Sequence, residues 1–123
     1  KFGTIKVMHE SALAQSILEM ATAACREQGF TEIHVIALRI GKAAGVMVES
    51  LTFAFDAFKE DFEEAKVARL VVEAVPVGGT CRECGREFQV EDAPFVFACP
   101  WCDSPSFVIT QGREMEISEL EVE

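Results

Sequence analysis

The sequence predicts an α+β fold: two helices packed on a small mixed sheet, with a compact module inserted between two of the strands. Three observations carry this. Two segments repeat apolar residues at helical spacing, and three others read as strands. Between the second and third strands the composition changes abruptly and four cysteines gather in two close pairs.

The first helix follows Ser11, a residue able to cap it, and places Leu13, Ile17, Met20 and Ala24 on one face, with Gly29 set to end it. The segment "EIHVIALRIG" then alternates Ile36, Leu38 and Ile40 with Val35, Ala37 and Arg39. Apolar residues on both faces predict a largely covered strand stopped by Gly41. A second helix carries Leu51, Phe55, Phe58 and Phe62 on one face, with Ser50 near its start. "ARLVVEAVP" reads as a strand ending at Pro76. The tail "EMEISELEVE" reads as the last strand, and its apolar phase changes between Ile117 and Leu120, which predicts a bulge near Ser118 or Glu119. Together these make a two-layer body with both helices on one sheet face.

The chain has 123 residues, one domain's worth with room for a small appendage. Half of the residues are hydrophobic and the formal net charge is −10. That balance argues against binding a phosphate backbone, which needs concentrated Lys and Arg. No apolar run is long enough to span a bilayer, and Lys1 to Val7 lack the apolar core of a secretory signal, so the expectation is a cytoplasmic protein away from membranes and nucleic acid.

Cys81/Cys84 and Cys99/Cys102 form C-x2-C, fourteen residues, C-x2-C. Two intervening residues let a tight turn aim both thiolates at one ion. Gly85 can take the left-handed conformation that closes the first knuckle, and Pro100 stiffens the second. Four thiolates suit tetrahedral Zn(II) with no open position, hence a structural, zinc-ribbon-like module. Its main apolar mass is Phe88, Phe95, Phe97 and Trp101, too little to fold without the ion. The same knuckles also look like those of a rubredoxin, where iron in four thiolates passes single electrons; the short intervening segment and the absence of tyrosine speak against it. Disulfides do not suit the expected compartment. The expected division is residues 1–76 and 108–123 for the body and 77–107 for the inserted module, with Gly78-Gly79 as a hinge at its entry.

Cys25 lies apart from the other cysteines and reads as a buried structural thiol. His34, early in a strand, has no ligand partner near it in sequence and reads as a surface or packed residue. "KEDFEEAK" reads as a solvated helix end. Met8-His9-Glu10 is chemically richer. A neutral imidazole binds Ni(II) well, and backbone nitrogens of a free chain start can complete a square-planar site. Nothing in the chain forms a Ser/Cys–His pair, a phosphate loop or an open metal site with a neighbouring base, so no enzyme is expected.

"MHESALAQSILE", the two-helix body, "CRECG…CPWC" and the tail "QGREMEISELEVE" together resemble the hydrogenase nickel-incorporation metallochaperones of the HypA type, from Met8 to Glu123. The resemblance implies a two-domain protein that delivers Ni(II) to maturing [NiFe]-hydrogenase, and in some organisms urease. It implies transported nickel at Met8 (through its backbone), His9 and Glu10, and structural Zn(II) at Cys81, Cys84, Cys99 and Cys102. It also implies a HypB-type nickel GTPase and the hydrogenase large subunit as partners, with the chain itself a monomer or weak homodimer. Members of the family begin at the methionine; here Lys1 to Val7 stand before it, which replaces the amine donor by a peptide nitrogen.

Overall fold

The computed structural model describes residues 9–90 and 96–123. Helix α1 spans Glu10–Glu27 and α2 spans Val48–Phe58. The strands are β1 (Ile33–Gly41), β2 (Arg69–Val75), β3 (Val77–Cys81), β4 (Glu87–Val90), β5 (Phe107–Gln111) and β6 (Met115–Val122). They form two three-stranded sheets, ordered β2-β1-β6 and β4-β3-β5. Two helices and two small sheets make the α+β class expected. The chain divides into two compact units: residues up to Leu38 with Val46–Val71 and Ile117–Glu123, and Arg39–Gly45 with Val72–Glu116.

In the first unit, α1 starts two residues earlier than a Ser11 cap predicts. His9 is the cap residue: its backbone is extended (φ −65°, ψ 144°), its carbonyl accepts from the Leu13 amide at 3.0 Å, and no side chain caps. Ser11 falls inside the first turn. Glu10 there supplies the negative charge that a helix start favours. The far end closes as expected at Gly29 (φ +83°), where the Gly29 amide donates to the Arg26 carbonyl and the Phe30 amide to the Cys25 carbonyl. The buried stripe is Leu13, Ala14, Ile17, Leu18, Ala21, Thr22 and Cys25, while Met20 is exposed. Ala14, Leu18, Ala21 and Cys25 repeat with the same spacing as the predicted face, one position on. Small alanines let this row approach its neighbours most closely.

Helix α2 buries Leu51 and Phe55. It ends at Phe58, and the chain continues through single turns at Lys59–Asp61 and Glu63–Ala65, with Phe62 extended between them (φ −118°, ψ 109°). Phe62 therefore does not extend the helical face, and both Phe58 and Phe62 are only half-buried. Ala65 and Ala68 complete the packing beneath "KEDFEEAK", so that segment is anchored as well as solvated.

β1 and β6 run antiparallel. Glu32 and Glu123 exchange both backbone hydrogen bonds, and the Gly41 amide donates to Glu114 at 2.8 Å. Both pairings share one register, so no residue is inserted on either strand between them. The bulge expected near Ser118 or Glu119 is thus not a net offset. The burial of β1 changes phase between Val35 and Ile36, directly opposite the change in β6, and both strands shift face together.

In the second unit, β3 lies between β4 and β5, antiparallel to both. Gly78 pairs with Gln89 and Gly79 with Phe88 on one side; Gly78 pairs with Gln111 and Gly79 with Ile109 on the other, leaving Thr110 as an extra residue in β5. The double glycine is therefore the middle of a sheet rather than a hinge. A Cβ on Gly79 would sit 2.4 Å from the Val108 carbonyl oxygen and 2.9 Å from the Phe88 ring, so close approach of neighbours requires glycine there. β5 carries this sheet past the expected boundary at residue 107, to Gln111.

Candidate metal centre

The two cysteine pairs are built as matched knuckles. In the first, the Gly85 amide donates to the Cys81 carbonyl at 3.1 Å and the Cys81 amide to the Arg86 carbonyl at 3.0 Å. In the second, the Asp103 amide donates to the Cys99 carbonyl and the Cys99 amide to the Ser104 carbonyl, each at 2.8 Å. The residue after the second cysteine of each pair is left-handed: Gly85 at φ +73°, Asp103 at φ +67°. Asp is among the few side chains that tolerate that region, which is how one knuckle works without glycine.

Each turn points backbone N–H groups at the first sulfur of its pair. Cys81 Sγ accepts from the amides of Glu83 and Cys84, and Cys99 Sγ from that of Trp101, all at 3.4 Å. The turns face each other, so Cys81 Sγ lies 3.6 Å from Cys102 Sγ and Cys84 Sγ 3.8 Å from Cys99 Sγ. All four sulfurs lie within 4.8 Å of one another. A disulfide would need about 2.05 Å. Tetrahedral Zn–S bonds of about 2.3 Å separate their sulfurs by about 3.8 Å, so the donor set fits an ion of that size.

The charge balance points the same way. Amides of Cys84 and Glu83, against the cost of burial, hold the Cys81 thiol down at about 6. At Cys102 the Ser104 amide pulls downward, but burial and the neighbouring cysteines win and push it up to about 12. A cation among the sulfurs would offset the repulsion between four thiolates.

Little apolar mass backs the cluster. Cys81, Cys99 and Phe88 are buried, with Val90, Val96 and Phe107 packed against them, and the Phe88 and Phe107 rings meet edge to face at 5.7 Å. Phe97 and Trp101, expected inside, are 84% and 59% exposed. Trp101 is instead tied at the surface, its indole N–H donating to the Glu87 carbonyl and its ring under the Arg86 guanidinium. Phe95 lies outside the described residues. Phe107, which supplies the missing ring, sits beyond the second knuckle and gives no signal of its own in the sequence.

The second predicted site is at the start of α1. His9 is exposed. Glu10 is already engaged, its carboxylate accepting from the Met47 amide at 2.8 Å, and that bond lowers its pKa. Met8 and Lys1 to Val7 lie outside the described residues, and among the described residues His9 and Glu10 are not drawn into a group of three ligands. Cys25 is buried with its thiol pushed up by burial, which suits a packing role. His34, read as partnerless, stands beside Glu32 and Glu123.

Comparison with known proteins decides between the nickel and rubredoxin readings. Residues 8–122 match the family described as "Hydrogenase/urease nickel incorporation, metallochaperone, hypA". The chain belongs to the HypA family. Among curated relatives, the hydrogenase maturation factor HypA of Chloroflexus aggregans is 40% identical over 93% of this chain and 98% of its own length. That of Picosynechococcus is 39% identical over 94% and 99%. Among solved structures, the solution structure of the nickel metallochaperone HypA from Helicobacter pylori superposes with a TM-score of 0.68 at 25% identity, covering 94% of this chain and 97% of that one. The named relatives are maturation factors, and no helix among the described residues is long and apolar enough to cross a membrane.

Proposed function

We propose that this chain carries Ni(II) for [NiFe]-hydrogenase maturation, with urease as a second class of recipient. The family match over 8–122 carries the reading. His9 is the side-chain nickel ligand, supported by its exposure at the cap of α1, where its backbone is outside the helical hydrogen-bond ladder on the amide side. The Met8 backbone and the Glu10 carboxylate join it. Cys81, Cys84, Cys99 and Cys102 hold structural Zn(II), supported by sulfur spacings that match tetrahedral zinc. The zinc-binding domain is built on residues 77–107 and the nickel-binding domain on 1–76 with 108–123, β5 carrying the sheet of the first on to Gln111. A HypB-type GTPase supplies or accepts the metal, the hydrogenase large subunit receives it, and the exchange takes place in the cytoplasm with the chain a monomer or weak homodimer.

The division of labour follows from ligand chemistry. Four thiolates in a closed shell bind too tightly to release cargo, whereas one imidazole at an exposed chain segment can exchange it. Metal analysis before and after nickel loading tests this. The parent is expected to hold one zinc throughout and gain nickel; His9→Ala keeps the zinc and loses the nickel held at the start of α1 at neutral pH. Equal nickel affinity in His9→Ala would overturn the assignment. Only neutral imidazole ligates, so nickel is also expected to leave on mild acidification while zinc stays.

A further inference from the structure

The chain has two histidines, and the second one also stands among metal-binding groups. Glu32 and Glu123 form a directly opposed, hydrogen-bonded backbone pair one residue beyond the ends of β1 and β6: the Glu123 amide donates to Glu32 at 2.8 Å and the Glu32 amide to Glu123 at 3.2 Å. Opposed residues project to the same side of a sheet, and so does the residue two positions along. That residue is His34. Its Nε2 lies 2.6 Å from Glu123 Oε1 and 3.3 Å from Glu32 Oε1, and the ligand atoms of all three lie within 4.8 Å of one another. Like charges placed directly opposite on paired strands repel, and here both carboxylates close on the same imidazole nitrogen. Ile33, on the other side of the strand, is fully buried, so the register cannot slip to separate the carboxylates.

We propose that Glu32, His34 and Glu123 form a second divalent-cation site, taking a first-row transition ion such as Ni(II) through one imidazole nitrogen and two carboxylate oxygens. The imidazole selects against Mg(II) and Ca(II), which prefer oxygen alone. The side chains are 42–75% exposed, so water completes the shell and the ion exchanges readily. The site is separate from His9: α1 has 18 residues, which places its two ends about 27 Å apart, and Glu32 follows the far end.

The test uses the zinc-loaded His9→Ala protein, in which His34 is the one remaining histidine, so its ring signals are unambiguous by NMR. Added Ni(II), paramagnetic in a nitrogen–oxygen shell, is expected to broaden the His34 ring protons and to saturate near one equivalent. Glu32→Gln with Glu123→Gln, which keeps side-chain size and the backbone pairing, is expected to abolish that saturation. In the complementary variant, His34→Ala with His9 intact, one fewer nickel binds while the His9 nickel remains. This separates failure here from failure of the His9 assignment. Absence of broadening in excess Ni(II), or broadening unchanged by the double Gln variant, would show an ordinary histidine–carboxylate contact and overturn the proposal.

Discussion

At the nickel site proposed for the start of α1, the type of nitrogen governs how tightly the metal is held. In the proposed site the nitrogen of Met8 is a peptide amide because Lys1 to Val7 precede it, and an amide gives up its proton far less readily than an ammonium. Removing Lys1 to Val7, so that Met8 carries a free amine, is expected to tighten nickel binding at neutral pH and to strengthen the yellow absorption of square-planar Ni(II). Calorimetry and a visible spectrum of the long and trimmed chains check it; identical affinities and spectra would mean that Glu10 or another group serves in place of the amine. The grouping of the four cysteines was legible because their spacing alone pairs them into two knuckles. The supporting residues were not. Asp103 stands at the same offset from Cys99 as Gly85 from Cys81, and only the folded turn shows that both are left-handed. Glu123 meets His34 across 89 positions of sequence, and no local pattern announces a contact of that range.

Two charged clasps hold α1 to its surroundings in the first unit. Near its start, Glu10 accepts from the amide of Met47, the cap residue of α2; in its last turn, Arg26 donates to both oxygens of the Glu64 carboxylate through Nε and Nη2. The Met47 amide and the Arg26 side chain, respectively, are the main causes that hold Glu10 and Glu64 below the usual glutamate value of 4.5. The folded state therefore resists protons that the unfolded chain accepts. Their stabilisation is complete above about pH 5 and drains as pH falls through and below 4.5. The thermal midpoint is expected to decline over that window, and Glu10→Gln with Glu64→Gln to flatten the decline. At neutral pH Glu10→Gln alone should lower the midpoint by about 2–4 °C, the size of one partly screened charge-assisted hydrogen bond. A decline of the same steepness in the double variant would assign acid sensitivity elsewhere. The helices themselves were plain from periodicity, but their faces and ends were not. Two rows one position apart on α1 are equally periodic, and only the small size of Ala14 and Ala21 against the bulk of Met20 decides between them. The strands β3, β4 and β5 escaped notice because a double glycine reads locally as freedom, whereas here it is required by neighbours 2.4 Å from a would-be Cβ.

The chain spends its apolar residues unevenly, and this determines what each unit depends on. The first unit buries Leu13, Ile17, Leu18, Ile33, Ile36, Leu51 and Phe55, enough large side chains to hold two helices against strands. Around the cysteines the buried cluster is Cys81, Cys99 and Phe88, two of the three being metal-ligand candidates, while Phe97 and Trp101 face solvent. Binding of zinc by four thiolates contributes on the order of 10–16 kcal/mol, far more than one phenylalanine ring can. Losing the ion should therefore unfold the knuckles and β4 without melting α1 or α2. Cys84→Ala is expected to purify without zinc, to lose the dispersed amide signals of 81–90 and 96–107, and to keep its far-ultraviolet helical signal. Because Cys84 is exposed, the substitution removes a ligand without opening a cavity in the core, so any unfolding reports the metal rather than the packing. A zinc chelator applied to the parent should reproduce the same pattern, and restoring zinc should reverse it in the parent but not in the variant. Full zinc content in Cys84→Ala, or loss of the helices together with the knuckles, would show that the two units do not divide their stability in this way.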